Sequence, residues 1–259
     1  MFNINEGGLL FYIFRGGIAQ AWHYYAAYIS FVLITILAAY LLGSINSAII
    51  ISKALHRDDI RKYGSGNAGM TNMLRTYGLG AAALTLLGDI LKTVISIAIA
   101  GVLFGFGYAG AISVTPECYI AGLFTVMGHI FPLYYGFKGG KGVLATATVA
   151  LILSPIPFAI LITVFVVMVW ASKYVSLGSV TGAVLYPVLV NGYCLVMFGQ
   201  HSTPGIISLT TIFIAIIIVW KHWGNLQRIS DRTERKISFK KKDKEAIAAP
   251  IEEENDEEN

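Results

Sequence analysis

Charge is scarce in this 259-residue chain. Charged side chains make up 13% of it, hydrophobic ones 56%, and the mean hydropathy is +0.66. A soluble domain carries roughly one-quarter charged residues, so composition excludes that class and indicates an integral membrane protein. Cysteine is scarcer still. Cys118 and Cys194 have no metal-ligand spacing and are expected to be buried thiols. No cluster of histidine, cysteine and carboxylate suggests a metal, no cofactor motif stands out, and no Ser-His-Asp arrangement is evident.

What charge there is falls in clusters. Apolar stretches at about 26–51, 81–105, 117–134, 143–153, 156–171, 178–198 and 205–222 are candidate transmembrane helices. Ser154-Pro155-Ile156-Pro157 divides the fourth from the fifth, since two prolines cannot continue a helix. The connecting segments differ sharply in charge. Five basic residues lie between Lys53 and Arg75, two at Lys138 and Lys141, one at Lys173 and nine from Lys221 to Lys244: 17 of 19 in all. The segments 106–116, 154–157 and 199–204 have none. Seven spans with the N-terminus outside and the C-terminus cytoplasmic put every basic segment inside, as the positive-inside bias requires. The expected fold is therefore all-α and polytopic.

Three regions are expected along the chain. Residues 1–25 form an N-terminal extension, whose apolar patch at 9–14 is too short to span and whose Arg15 follows that patch, so a cleaved signal peptide is not expected. Residues 26–237 form the membrane-embedded domain. Residues 238–259 are a basic-then-acidic tail, with six carboxylates in 252–258, expected to be disordered.

The densest polar stretch is Arg61 to Thr76, RKYGSGNAGMTNMLRT. Gly64, Gly66 and Gly69 allow sharp backbone turns and close approach to N–H groups. Ser65, Asn67, Thr71 and Asn72 add small polar groups, and Arg61, Lys62 and Arg75 add positive charge. This combination suits a phosphate. A flexible connector is the plainer reading, but connectors seldom hold so many glycines, asparagines and arginines together. Gly64-x-Gly66-x-x-Gly69 formally matches a dinucleotide fingerprint. No strand precedes it and no βαβ unit follows, so that match is rejected. The Lys138-Gly139-Gly140-Lys141-Gly142 loop repeats the glycine-and-cation pattern without completing a P-loop.

Other polar residues sit near the same face. Asp89 and Lys92 share a helical face inside the second span, either as a self-neutralising pair or as support for the loop. His129 ends the third span, Ser179 begins the sixth, and His222 with Asn225 form an (i, i+3) pair at the end of the seventh. His23, His56 and His201 lack polar company.

Taken together, three blocks resemble the bacterial acylphosphate-dependent glycerol-3-phosphate acyltransferase family. They are Gly43-Ser44 with Asp59–Asn67, Thr71-Asn72 and Leu74-Arg75-Thr76; Gly128-His129-Ile130-Phe131-Pro132 with Phe137–Val143 and Ala145-Thr146; and Tyr174–Ser179. The resemblance covers roughly 30–237. It implies a multi-pass protein of the bacterial cell membrane, its active site facing the cytoplasm, with glycerol 3-phosphate, a long-chain acyl phosphate and membrane lipid as partners and no nucleic acid. It implies acyl transfer from acyl phosphate to the 1-hydroxyl of sn-glycerol 3-phosphate, giving lysophosphatidic acid and inorganic phosphate. By motif, Ser65, Arg75, Lys141, Ser179, His222 and Asn225 would be catalytic. Gly64, Gly66, Asn67, Thr71, Asn72, Gly139 and Gly140 would hold substrate phosphate, and Asp89, Lys92 and His129 would support them. No cofactor is implied. No histidine has an aspartate five residues later, so the His-x4-Asp of acyl-CoA-type acyltransferases is absent. Asn46, Met70 and Thr93 depart from the family pattern. A transporter or channel for a phosphorylated metabolite is the alternative, although no internal repeat supports it.

Overall fold

The computed structural model describes residues 8–14, 21–105, 115–198 and 205–237. Most of the N-terminal extension and the whole acidic tail lie outside these. The described residues contain helices and short turns and no strand. In chain order the α-helices are α1 (Gly8–Phe14), α2 (Ala21–Ser44), α3 (Ser47–His56), α4 (Met70–Tyr77), α5 (Leu79–Phe104), α6 (Pro116–Ile130), α7 (Val143–Leu153), α8 (Pro155–Ser172), α9 (Val175–Phe198), α10 (Gly205–Lys221) and α11 (Trp223–Ser230).

Each apolar stretch is helical, but not all are long enough to cross. Five segments pass by length and composition: Trp22–His56, Leu79–Phe104, Pro116–Tyr135, Pro155–Ser172 and Val175–Val196. A sixth is α10 with α11, bent by 49°. At 1.5 Å per residue α7 spans only about 16 Å of a hydrocarbon layer of about 30 Å. The length criterion thus gives five or six crossings where seven were expected.

The α7–α8 pair is nevertheless a hairpin, because its ends meet: Lys141, just before α7, donates to Asn225, which shares Glu234 with Ser176, just past the end of α8. Ser154, whose N–H bonds to the Ala150 carbonyl, and Pro155 make the reversal. Whether α7 crosses or only dips in, the chain returns to the face it left. Every polar motif therefore stays on one side.

α6 lies at the centre, packed on α2, α5, α7 and α10, while α9 packs between α8 and α10. α2 and α6 touch backbone to backbone. A Cβ at Gly128 would lie 2.3 Å from the Tyr40 carbonyl oxygen, and one at Gly43 2.4 Å from that of Thr125. Small residues permit such contact in membrane bundles, where lipid removes the usual hydrophobic drive for association. α8 is peripheral and turns most of its apolar side chains outward. Cys118 and Cys194 are both buried.

Candidate active site

The break between α2 and α3 is the first element that builds the site. Asn46 caps α3 by accepting from the Ile49 N–H at 3.1 Å, and its amide reaches the Ala68 carbonyl at 3.4 Å. Its departure from the family pattern thus supplies a helix start. The carbonyls of Gly43 and Ile45, left over by the break, accept from Lys92 Nζ at 3.1 and 2.8 Å. Lys92 also pairs with Asp89 at 2.9 Å and meets His129 Nδ1 at 3.0 Å, and Asp89 accepts from Ser47 Oγ at 3.0 Å. A buried charge pair with this many partners leaves no ion uncompensated. The Asp89–Lys92 pair thus fixes the helix break beneath the glycine loop.

The loop itself is held by Asn72 and Arg61. Asn72 accepts from the Ser65 N–H at 3.1 Å and donates to the carbonyls of Tyr63 and Ile60 at 2.9 and 3.3 Å. Gly64 sits at φ +62°, and a Cβ there would come within 2.3 Å of Asn72 Oδ1. Only glycine fits both conditions. Arg61 grips Asp59 with two hydrogen bonds, at 3.0 and 2.8 Å. Its other nitrogen donates to the carbonyls of Tyr135 and Lys138 at 3.0 and 3.2 Å, tying the first loop to the second. The second loop is pinned to the end of α6. Gly139 and Gly140 donate their N–H groups to Ile130 and His129 carbonyls at 3.3 and 3.0 Å.

These supports frame a cavity of about 890 Å³. Gly64, Ser65, Asn67, Thr71, Asn72, Arg75, Asp89, His129, Lys141, Ser179, His222 and Asn225 all line it. Six separate parts of the sequence therefore meet: the first glycine loop with α4, α5, α6, the second glycine loop, α9 and the α10–α11 bend. Gly66, Gly139, Gly140 and Lys92 do not line it. The N–H of Gly66 bonds to the Tyr63 carbonyl at 3.0 Å, so all three of these glycines spend their donors on the loops.

One end of the cavity is cationic. Arg75, Lys141, Arg228 and Arg235 line it, against one carboxylate, Glu234, besides the Asp89 that pairs with Lys92. Arg75 has no hydrogen bond or ion pair among the described residues; burial and nearby Arg235 lower its pKa. A guanidinium kept without a carboxylate is a site for an anion. Burial pushes Lys141 down to about 8, Glu234 opposing the shift, and its ammonium donates to Asn225 Oδ1. Ser179 Oγ donates to the Val175 carbonyl at 2.9 Å and keeps its lone pairs. His222 stands at the bend between α10 and α11. Its Nδ1 lies 2.8 Å from the Ile218 carbonyl, an acceptor only, so Nδ1 carries the hydrogen and Nε2 a lone pair.

Sequence reasoning missed Glu234. The segment 231–237 folds back across the mouth, where the Ile237 N–H bonds to the Lys173 carbonyl at 2.8 Å. Glu234 there accepts from Ser176 Oγ at 2.7 Å, Asn225 Nδ2 at 2.7 Å and Arg228 Nε at 2.9 Å. Burial would raise its pKa, but these donors hold it below the usual carboxylate value. As a carboxylate within the basic stretch it gives no local signal. Thr146 stands in the sequence only as one member of a motif. Its buried hydroxyl has no partner among the described residues and lines the cavity.

The other end is apolar, walled by Leu144, Ala147, Ala150, Phe158, Leu161 and Phe165 among others. One cavity can thus take a phosphate head and a hydrocarbon tail together.

Comparison with known proteins agrees with this geometry. A profile described as "Glycerol-3-phosphate acyltransferase" matches residues 33–232. A glycerol-3-phosphate acyltransferase of Alkaliphilus metalliredigens is 38% identical over 208 residues, covering 80% of this chain and 97% of its own. Two crystal structures of PlsY (YgiH), described as an integral membrane glycerol 3-phosphate acyltransferase, share the fold. The glycerol 3-phosphate form aligns with TM-score 0.68 at 31% identity, over 80% of this chain and 96% of that one. The lysophosphatidic acid form aligns with TM-score 0.67 at 29% identity, over 80% and 95%. The chain, a multi-pass helical membrane protein, belongs to the glycerol-3-phosphate acyltransferase family.

Proposed function

We propose that this protein transfers an acyl group from a long-chain acyl phosphate to the 1-hydroxyl of glycerol 3-phosphate, at the cytoplasmic face of a bacterial membrane. The observation that carries this is the single cavity, cationic at one end and apolar at the other. The substrate and product named for the two related crystal structures fit such a cavity. The concentration of basic residues on the motif face supports a cytoplasmic orientation.

The chemistry asks little of a nucleophile. Acyl phosphate is already activated, so the 1-hydroxyl attacks the acyl carbon, negative charge grows on the carbonyl oxygen, and the bond to phosphate breaks. Arg75 and Lys141, with Ser65, Thr71 and Ser179, hold the phosphates and bring hydroxyl and acyl carbon together. Lys141 with its Asn225 partner stabilises the developing charge. The hydroxyl proton passes to His222 Nε2 or to a substrate phosphate oxygen. Gly139, Gly140 and Asn72 act by shaping the loops. Polar groups gathered at one end, rather than near the midplane, give the transporter alternative no support.

Purified protein supplied with palmitoyl phosphate and glycerol 3-phosphate tests the proposal. Lysophosphatidic acid and inorganic phosphate appearing in equal amounts is the expected result. Folded protein that forms neither would refute it.

A further inference from the structure

The polar end of the cavity has an assigned occupant, while the route of the hydrocarbon tail is open. α9 offers one. Ser179, Gly182, Ala183 and Tyr186 follow the i, i+3, i+4, i+7 spacing of a single helical face, and all four line the cavity. Going down this face from Ser179, the side chains shrink to hydrogen and methyl and then end at a fully buried tyrosine. Facing α7 does the same with Ala147 and Ala150.

Gly182 is the informative position. A glycine inside a helix is less favourable than alanine by roughly 1 kcal/mol. Some glycines here are explained by close contact: a Cβ at Gly178 would meet Val169 Cγ2 at 2.9 Å. At Gly182 a Cβ would meet nothing within 4 Å. The missing side chain opens space in the cavity rather than admitting a neighbouring helix.

We infer that the donor's acyl chain runs down this face of α9, that Gly182 holds the passage open, and that Tyr186 forms its floor. The inference rests on the acyltransferase reading and adds the residues that select the chain. Four residues of helix separate Gly182 from Tyr186, about 6 Å, so the two positions act at different depths. Gly182→Leu obstructs every long acyl chain near its head. A change at 186 is felt only by chains long enough to reach the floor.

The test is steady-state kinetics on full-length protein, with octanoyl and palmitoyl phosphate as donors. Gly182→Ala and Gly182→Leu are expected to raise the KM for palmitoyl phosphate in that order, by about tenfold or more for leucine. The KM for glycerol 3-phosphate should stay within about twofold, a split that general damage to the fold would not produce. Tyr186→Ala should change kcat/KM for palmitoyl phosphate and leave octanoyl phosphate nearly unaffected. An active Gly182→Leu protein with unchanged donor KM would overturn the inference and leave the acyltransferase reading standing. So would a Tyr186→Ala effect equal for both donors. Wild-type protein that transfers from neither donor would instead overturn the acyltransferase reading itself.

Discussion

At single residues, phosphate binding depends on cations that have no hydrogen-bonded carboxylate of their own. Arg75 is the clearest case, since its side chain has no hydrogen bond or ion pair among the described residues, Glu234 acting on it only from a distance. Arg75→Ala should reduce kcat/KM with palmitoyl phosphate by about 10- to 100-fold, the range for a lost charge-assisted hydrogen bond. Arg75→Lys should recover only part, because a lysine ammonium lacks the planar fork. Lys141 adds a pH dependence. Burial brings its pKa to about 8, so its ammonium, the form that attracts phosphate, is present below that pH and lost above it. With the donor held well below saturation, so that the phosphate-free enzyme is what is seen, kcat/KM for glycerol 3-phosphate should therefore fall as pH rises through about 8. Bound phosphate favours the ammonium, so kcat should fall only at higher pH. A flat kcat/KM profile from pH 7 to 9.5 would remove Lys141 from the site. Arg75 and Lys141 were legible in the sequence because cations are rare in so apolar a chain. Glu234 was not, because one carboxylate between arginines looks like a solvated surface. Only the fold brings Ser176, Asn225 and Arg228 to it.

Among the elements, helices were easier to read than what happens at their ends. Each apolar stretch became a helix, and the double proline did mark a reversal. The sequence could not show that α2 breaks at Ile45-Asn46 and resumes as α3, because the break is held by Lys92, nearly fifty residues away. Nor could it show where loop N–H groups go. Gly139 and Gly140 look like phosphate ligands by composition, yet their donors are taken by the end of α6. The strap at 231–237 makes a prediction at this scale. Glu234→Ala leaves Ser176, Asn225 and Arg228 without their shared acceptor, and should lower the melting temperature in detergent as well as activity. A variant with normal melting temperature and activity would show the strap to be dispensable. Helix contact makes another. Gly128→Ala drives a methyl into the α2 backbone and should destabilise by a few kcal/mol, the cost of overpacking. Gly192→Ala, inside α9 where a Cβ meets nothing within 4 Å, should melt no lower than the wild type.

For the whole molecule, the α7–α8 hairpin makes orientation independent of span count. Both ends open on the motif face, so the segments before and after the hairpin keep the same sidedness whether or not it crosses, and the charge count supports a cytoplasmic face. Single cysteines introduced at Lys138 and Lys173, in a background with Cys118 and Cys194 replaced, should react with a membrane-impermeant thiol reagent only in inside-out vesicles. Labelling from the outside would invert the topology. The central claim is that one cavity holds two phosphates, one on each substrate. The most direct measurement compares turnover of palmitoyl phosphate with glycerol 3-phosphate against two substituted pairs: palmitoyl-CoA with glycerol 3-phosphate, and palmitoyl phosphate with glycerol. The account predicts lysophosphatidic acid from the first pair alone and no acylated product above background from the others. Comparable rates with palmitoyl-CoA, or with glycerol, would contradict it.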